Sequence, residues 1–184
     1  MPSTVAVNAA NFVRAETDRR FADAAMRGAW GGFLHTREPP PDTAGGHAER
    51  DTLASEAVFD LDAGPVTVTL PEAGERFLAL VAVDEDHHLV AAVHAAGACT
   101  FTRAEVGTRY LYVVARTRAD ADDPADLAQA RALQDALLVT QPPGARLELP
   151  NWDPASLGAV RAALLALGAT LPDLRGALRP RAAG

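Results

Sequence analysis

Apolar positions recur at helical spacing near the start of the chain. Between Asn8 and Arg27 they fall at Phe12, Val13, Ala15, Phe21, Ala24 and Ala25, with Arg, Asp and Glu on the other faces. This pattern predicts an amphipathic helix over 8–28, closed by Gly28, Gly31 and Gly32. Residues 33–50 then read as a loop, because Pro39, Pro40, Pro41, Gly45 and Gly46 break any regular period. That loop still carries Phe33, Leu34, His35, Arg37 and Glu38, more chemistry than a linker needs.

Beyond residue 56 the period shifts to two. Ala57–Leu61 leads into the turn Asp62-Ala63-Gly64, and PVTVTL over 65–70 alternates Val with Thr. Arg76–Val83 is nearly continuous apolar, as a strand buried on both faces would be. His88–His94 fits a strand or a short helix; Ala98–Thr102 and Thr108–Arg116 fit strands. Short turns and no intervening helix make 56–117 an antiparallel sheet.

Asp123-Pro124 and Asp153-Pro154 each combine an N-cap with proline in the first helical turn, and place two helices in 123–168. Leu147-Glu148-Leu149 between them suits a short edge strand, and 172–184 a loose tail. The fold class is therefore α+β: an antiparallel, jelly-roll-like β-sandwich flanked by one N-terminal and two C-terminal helices. The whole chain, 1–184, reads as a single domain with no internal repeat.

Composition narrows the chemistry. Aromatics make up 5% of the chain, so the core rests on Ala, Val and Leu. All basic residues are arginine, which excludes Schiff-base and lysine-base chemistry and a phosphate-loop lysine. A net charge of −7 argues against nucleic acid and anionic lipid as partners. Cys99 is the single cysteine, so no intramolecular disulfide forms. No secretory pattern or membrane-length apolar run is present, and the expected location is cytoplasmic.

Four groups carry candidate chemistry. In an extended strand Asp84, Asp86 and His88 would share a face and hold a divalent metal; the same residues suit a polar turn, and their spacing matches no strong metal signature. His35 could shuttle a proton and Arg37 clamp an anion; the alternative is a loop pinned by an Arg–Glu pair. Arg50 and Asp51 precede the first strand and suit ligand orientation or a turn. Arg116 interrupts an apolar strand, so it needs a carboxylate such as Glu85 or Asp51, or serves as an anion clamp. Ser3, Ser55 and Ser156 lie outside any nucleophile elbow, and Cys99 has no histidine partner by spacing.

Several segments together resemble a bacterial family, the domain of unknown function 1254. They are NFVRAETDRRFA, HTREP, ERDTLASEAVFDLDAGPVTVTLPEAGERF, DEDHH, VGTRYLYVVARTRADADDPADLAQARALQDAL and LPNWDPASLGAVRAALLALGATLPD. The resemblance implies a mostly β, jelly-roll-like sandwich with flanking helices, usually followed by a second β-domain, of unknown function 1214. Relatives commonly read N-R-D-T-L-Y where this chain has Glu49 and Ala54. A homo-oligomer or a separate partner domain is the expected companion.

Two functions follow. The leading one is a non-catalytic accessory sandwich that binds a small molecule or a protein. The alternative is a metal-assisted or acid/base hydrolase using His35, Arg37 and the Asp84–His88 cluster. The cofactor is left open, as is the catalytic set, with His35, Asp51 and Asp86 as candidates and Arg37, Arg50 and Arg116 as ligand-binding candidates. Convergence of His35, Arg37, Asp51 and Asp86 in one cleft would favour the enzyme; a flat apolar patch would favour the interaction domain.

Overall fold

The computed structural model describes residues 3–39 and 51–171. Arg50 and the tail 172–184 lie outside the described residues, and so do the expectations that fell on them. The described residues fall into two compact units, one drawn from Met1–Glu16 with Pro150–Gly184 and one from Thr17–Leu149.

The larger unit contains two antiparallel sheets. Five strands run in the order β1 (Leu34–His35), β2 (Thr52–Asp60), β7 (Tyr110–Arg118), β4 (Leu78–Asp84) and β5 (Leu89–Val93). Three more run in the order β6 (Gly97–Phe101), β3 (Val66–Leu70) and β8 (Leu138–Thr140). This is the α+β class with antiparallel pairing that the alternating pattern predicts. His88–His94 resolves as a strand.

Period-two alternation builds the core. Ala57 and Phe59 of β2, Leu80 and Ala82 of β4, and Leu111, Val113 and Ala115 of β7 share one face with Val66, Val68 and Phe101 of the small sheet. The inner face of the large sheet is thus covered by a second sheet. Periodicity within a strand reports which face is buried, not what covers it. The outer face carries Val58, Tyr110 and Tyr112, packed with Phe21, Ala24 and Ala29. Phe21 stacks on Tyr112 at 5.6 Å between ring centroids. Leu53 and Ala119 pack with Leu127 and Ala130 of α3 (Pro124–Asp135).

Several boundaries differ from the sequence reading, each for a local reason. Helix α1 spans Phe12–Ala24 and starts later than Asn8. The Asn8 and Asn11 side-chain oxygens accept from the Ala10 and Asn8 amides, and these local bonds hold 8–11 in a turn. A five-residue π-helical turn, Ala25–Ala29, follows, with Gly28 at φ 107°. Helix α2 (Arg103–Val106) was missed, although its capping box, Thr102 with Glu105, and the left-handed Gly107 are legible in TRAEVG. Leu147–Leu149 is not a strand, because the Glu148 amide and carbonyl are both taken by the Tyr110 hydroxyl.

In the smaller unit, α4 (Pro154–Gly168) is capped by Asp153, whose carboxylate accepts from the Ala155 and Ser156 amides. Val5 forms a parallel bridge to Trp152. Val7, Ala15 and Leu157 form a small core there, and Arg161 pairs with Glu16.

The turn between β2 and β3 is tied down by charge. Arg109 donates from Nε and Nη2 to the two oxygens of Asp60, at 3.0 and 2.9 Å. Asp60 is 2% exposed, and the hydrogen bonds from Arg109 outweigh burial and hold its carboxyl below the ordinary aspartate value of 3.8. A carboxyl depressed in the folded state stabilises above its unfolded pKa, and that contribution is lost as pH falls through the folded value. Arg109→Ala, which leaves this carboxylate buried and unpaired, should cost about 3–5 kcal/mol at pH 7. In urea titrations its deficit relative to wild type should shrink steadily as pH falls below about 4.

Candidate ligand site

The HTRE segment becomes β1 and its exit, and α3 holds it from behind. Arg37 donates to the Arg131 carbonyl at 3.1 Å and to Asp135 at 2.5 Å, while Arg131 donates to the Arg37 carbonyl at 3.0 Å and to Glu38 at 2.6 Å. Gln134, fully buried, donates to the Thr36 and Ala54 carbonyls and to Ser55 Oγ. His35 Nδ1 lies 2.8 Å from the same Ser55 Oγ. Burial, then the charge of Arg37, push the His35 pKa below its usual value, so the imidazole is neutral at pH 7. Ser55 is buried completely, so this serine–histidine contact spaces the β1–β2–α3 junction and presents no exposed nucleophile. The loop is therefore pinned by reciprocal Arg–carboxylate pairs, but to a helix.

Asp84, Asp86 and His88 do meet: one ligand atom from each lies within 4.8 Å of the others. They meet through a turn and not through a strand face. Asp84 Oδ1 accepts from the Asp86 and His88 amides at 2.9 and 2.8 Å, and Oδ2 lies 3.2 Å from His88 Nδ1. His87 takes a left-handed conformation, φ 64°, at the apex. The geometry is that of an aspartate closing a hairpin.

Arg116 is half-buried on the outer face of β7, opposite Ala54 of β2 and Ala79 of β4. Glu85 is not its partner. Its carboxylate accepts the Tyr110 amide at 2.9 Å, at the other end of the same strand. Six residues of extended chain put the two roughly 20 Å apart.

The candidates do not converge. Asp51 precedes Thr52, which pairs with Arg118 at one end of β7; Asp86 follows Asp84, which pairs with Leu111 at the other. Seven residues of strand separate those ends by about 23 Å. His35 sits on β1, three strand positions from β4, which is about 14 Å across the sheet.

Asp51 instead joins an open cleft of about 770 Å³ at the Arg118 end of the large sheet. Its walls are Glu75 and Arg76 before β4, Arg118 and the segment Ala119–Asp122 after β7, and Asp126 and Gln129 on α3. Arg76 binds Asp126 through its two terminal nitrogens, Nη1 and Nη2, at 2.9 and 2.5 Å, and donates to the Arg118 carbonyl at 2.8 Å. The Asp120 amide donates to the same Asp126 carboxylate at 2.7 Å. The Arg76 bonds, then that amide, hold the Asp126 carboxyl down at about 2. Among the described residues, five carboxylates thus face two guanidiniums, and one guanidinium is already committed. Sequence reasoning found only Asp51 of this set, because the others lie on three elements far apart in the chain.

A second missed cluster lies on the outer face of β2. Glu56 binds Arg27 at 2.5 Å and accepts from the Tyr112 hydroxyl at 2.7 Å, while Arg20 lies over the Tyr112 ring at 5.5 Å. Burial first, then Glu56, push the Tyr112 hydroxyl up to about 12, so it stays a donor.

These features define a class first: an α+β protein of two antiparallel sheets sharing one apolar core. Within that class, residues 30–100 match the family described as Protein of unknown function (DUF1254). The matched span takes in HTREP, ERDTLASEAVFDLDAGPVTVTLPEAGERF and DEDHH. No curated protein matches the chain. Its fold is similar to the crystal structure of the VPA0106 protein from Vibrio parahaemolyticus, at 19% identity and a TM-score of 0.58, over 79% of this chain and 41% of that one. The chain thus spans about two-fifths of that protein's length. Among the described residues no helix is long and apolar enough to cross a membrane.

The hairpin reading of Asp84 has a direct check. Asp84→Ala removes the acceptor for two backbone amides and should cost about 1–3 kcal/mol. His88→Ala, at a side chain 77% exposed, should stay within about 0.5 kcal/mol. Urea denaturation of both variants reads the difference.

Proposed function

We propose that the larger unit is a non-catalytic, accessory binding module, and that its ligand is a small organic cation carrying amino groups, held in the Asp51–Asp126 cleft. One observation carries this reading: among the described residues five carboxylates line that cleft against two guanidiniums, with Arg76 neutralised by Asp126. The volume lies within the range of ordinary small-molecule sites. The lining is polar and open, so affinity comes from charge and hydrogen bonds and falls with salt. The net charge of −7 supports a cationic ligand over nucleic acid.

Spermidine is a suitable probe. Titration followed by amide NMR should give saturable shifts at Asp51, Glu75 and the Ala119–Asp122 segment. The double variant Asp51→Asn/Asp122→Asn should weaken binding about tenfold, and raising salt from 20 to 200 mM should weaken it several-fold. Shifts spread evenly over the acidic surface, or none, would remove the site.

A second reading, a metal-assisted enzyme, is favoured by the mutual approach of Asp84, Asp86 and His88. Mass-spectrometric metal analysis of the purified protein decides it. Stoichiometric zinc, iron or manganese, lost in Asp86→Ala, would put this reading first.

A further inference from the structure

β1 is two residues long and pairs with β2 at two positions; the Thr36 amide adds one bond to the Ala54 carbonyl, at 2.8 Å. The His35–Ser55–Gln134 junction fastens this short strand to α3, and its polarity can be read atom by atom. The Thr36 and Ala54 carbonyls only accept, so the Gln134 amide nitrogen faces them and its oxygen faces Arg37 Nη1, at 3.4 Å. That nitrogen also donates to Ser55 Oγ, at 3.1 Å. Ser55 then has one hydrogen of its own to give. Its acceptor is His35 Nδ1, at 2.8 Å, so the hydrogen-bond network assigns the ring proton to Nε2.

Protonation reverses this bond. An imidazolium carries hydrogen on both nitrogens, so Nδ1 becomes a donor. The Ser55 hydrogen then needs another acceptor, and the two carbonyls of the junction already hold the Gln134 hydrogens. Ser55 is fully buried, so bulk water does not supply one. A buried donor left without an acceptor carries its full desolvation penalty. His35 itself is half-buried, so a proton reaches the ring. The surrounding charges do not compensate. Arg37 and Arg131 face the junction, and the carboxylates opposite them are taken, Asp135 by Arg37 and Glu38 by Arg131. On β2, Glu56 lies on the other face, held by Arg27 and the Tyr112 hydroxyl, and Ala115 of β7 opposite Ser55 is uncharged. Burial first, then Arg37, outweigh the pull of Asp135 and hold His35 below its ordinary value of 6.5.

We infer that His35 is an acid-sensitive latch: protonating its ring releases β1 and its Thr36–Glu38 exit from α3 and from the edge of β2. The neutral ring holds the latch fully above the unfolded-state value. That hold fades as pH falls through the lower folded-state value, because the released form binds the proton more readily. The opening is local. β2 stays paired with β7 at nine positions, and the core they share carries no titrating group of the latch. Release bares the β2 edge over Ala54–Glu56, which β1 otherwise covers. None of the latch residues lines the ligand cleft.

Imidazole nitrogen NMR and amide hydrogen exchange on the full chain test this. At pH 7.5 the His35 ring should carry its proton on Nε2. Between pH 7.5 and 5.5 the protection factor of the Thr36 amide, corrected for its intrinsic exchange rate, should fall about threefold or more. Protection of the β7 amides should stay constant over the same range. His35→Asn keeps an acceptor for the Ser55 hydroxyl but does not titrate, so Thr36 protection in that variant should be flat with pH. A proton on Nδ1 at pH 7.5 overturns the inference. So does Thr36 protection that is constant in the wild type, or that falls equally in His35→Asn. If His35→Asn does not fold, the wild-type tautomer and the Thr36 profile against β7 still decide.

Discussion

Strand β7 is hydrogen-bonded along both sides, to β2 in nine register pairs and to β4 in seven. That double pairing is the constraint on which the rest depends. One face of β7, Leu111, Val113 and Ala115, enters the core shared with the small sheet; the other carries Tyr110 and Tyr112 beneath Phe21. Neither face can shift by one residue without exposing apolar side chains and burying Arg116 and Arg118 toward the core. The ends of β2 and β4 are therefore held at fixed distances along one rod.

The two ends of that rod have different chemistry. At the Tyr110 end, charges are consumed by the fold: Asp60 by Arg109, Glu85 by the Tyr110 amide, Asp84 by its own hairpin. At the Arg118 end, Asp126 is taken by Arg76 and the Asp120 amide and Asp120 accepts the Asp122 amide, while Asp51, Glu75 and Asp122 line an open cleft. Polar groups satisfied by backbone amides have little left to offer a ligand, whereas those lining an open cleft with fewer such bonds have more. This contrast, more than the number of acidic residues, separates the cleft from the hairpin.

The His35–Ser55–Gln134 junction shows how chemistry-bearing residues serve architecture. Each side chain there has hydrogen-bond partners from a different element, and together they fasten the short strand β1 to α3. A histidine beside a serine reads as catalysis in isolation. Complete burial of the serine turns the same contact into a spacer.

The sequence by itself determined the element types. Period-two alternation in PVTVTL, the apolar run of β4, and the Asp-Pro starts of α3 and α4 are local signals, and local hydrogen bonding and burial obey them. The α+β class followed from those signals. Only the tertiary structure decided which strands share a sheet, that β8 rather than Leu147–Leu149 completes the small one, and that His35, Asp51 and Asp86 lie apart. Strand pairing joins residues distant in the chain, as Thr52 with Arg118 or Val68 with Val139, and periodicity within a segment holds no information about its neighbour. The cleft was illegible for the same reason: its charges come from the start of β2, the approach to β4, the end of β7 and one face of α3, and only the packing of those elements makes them one site.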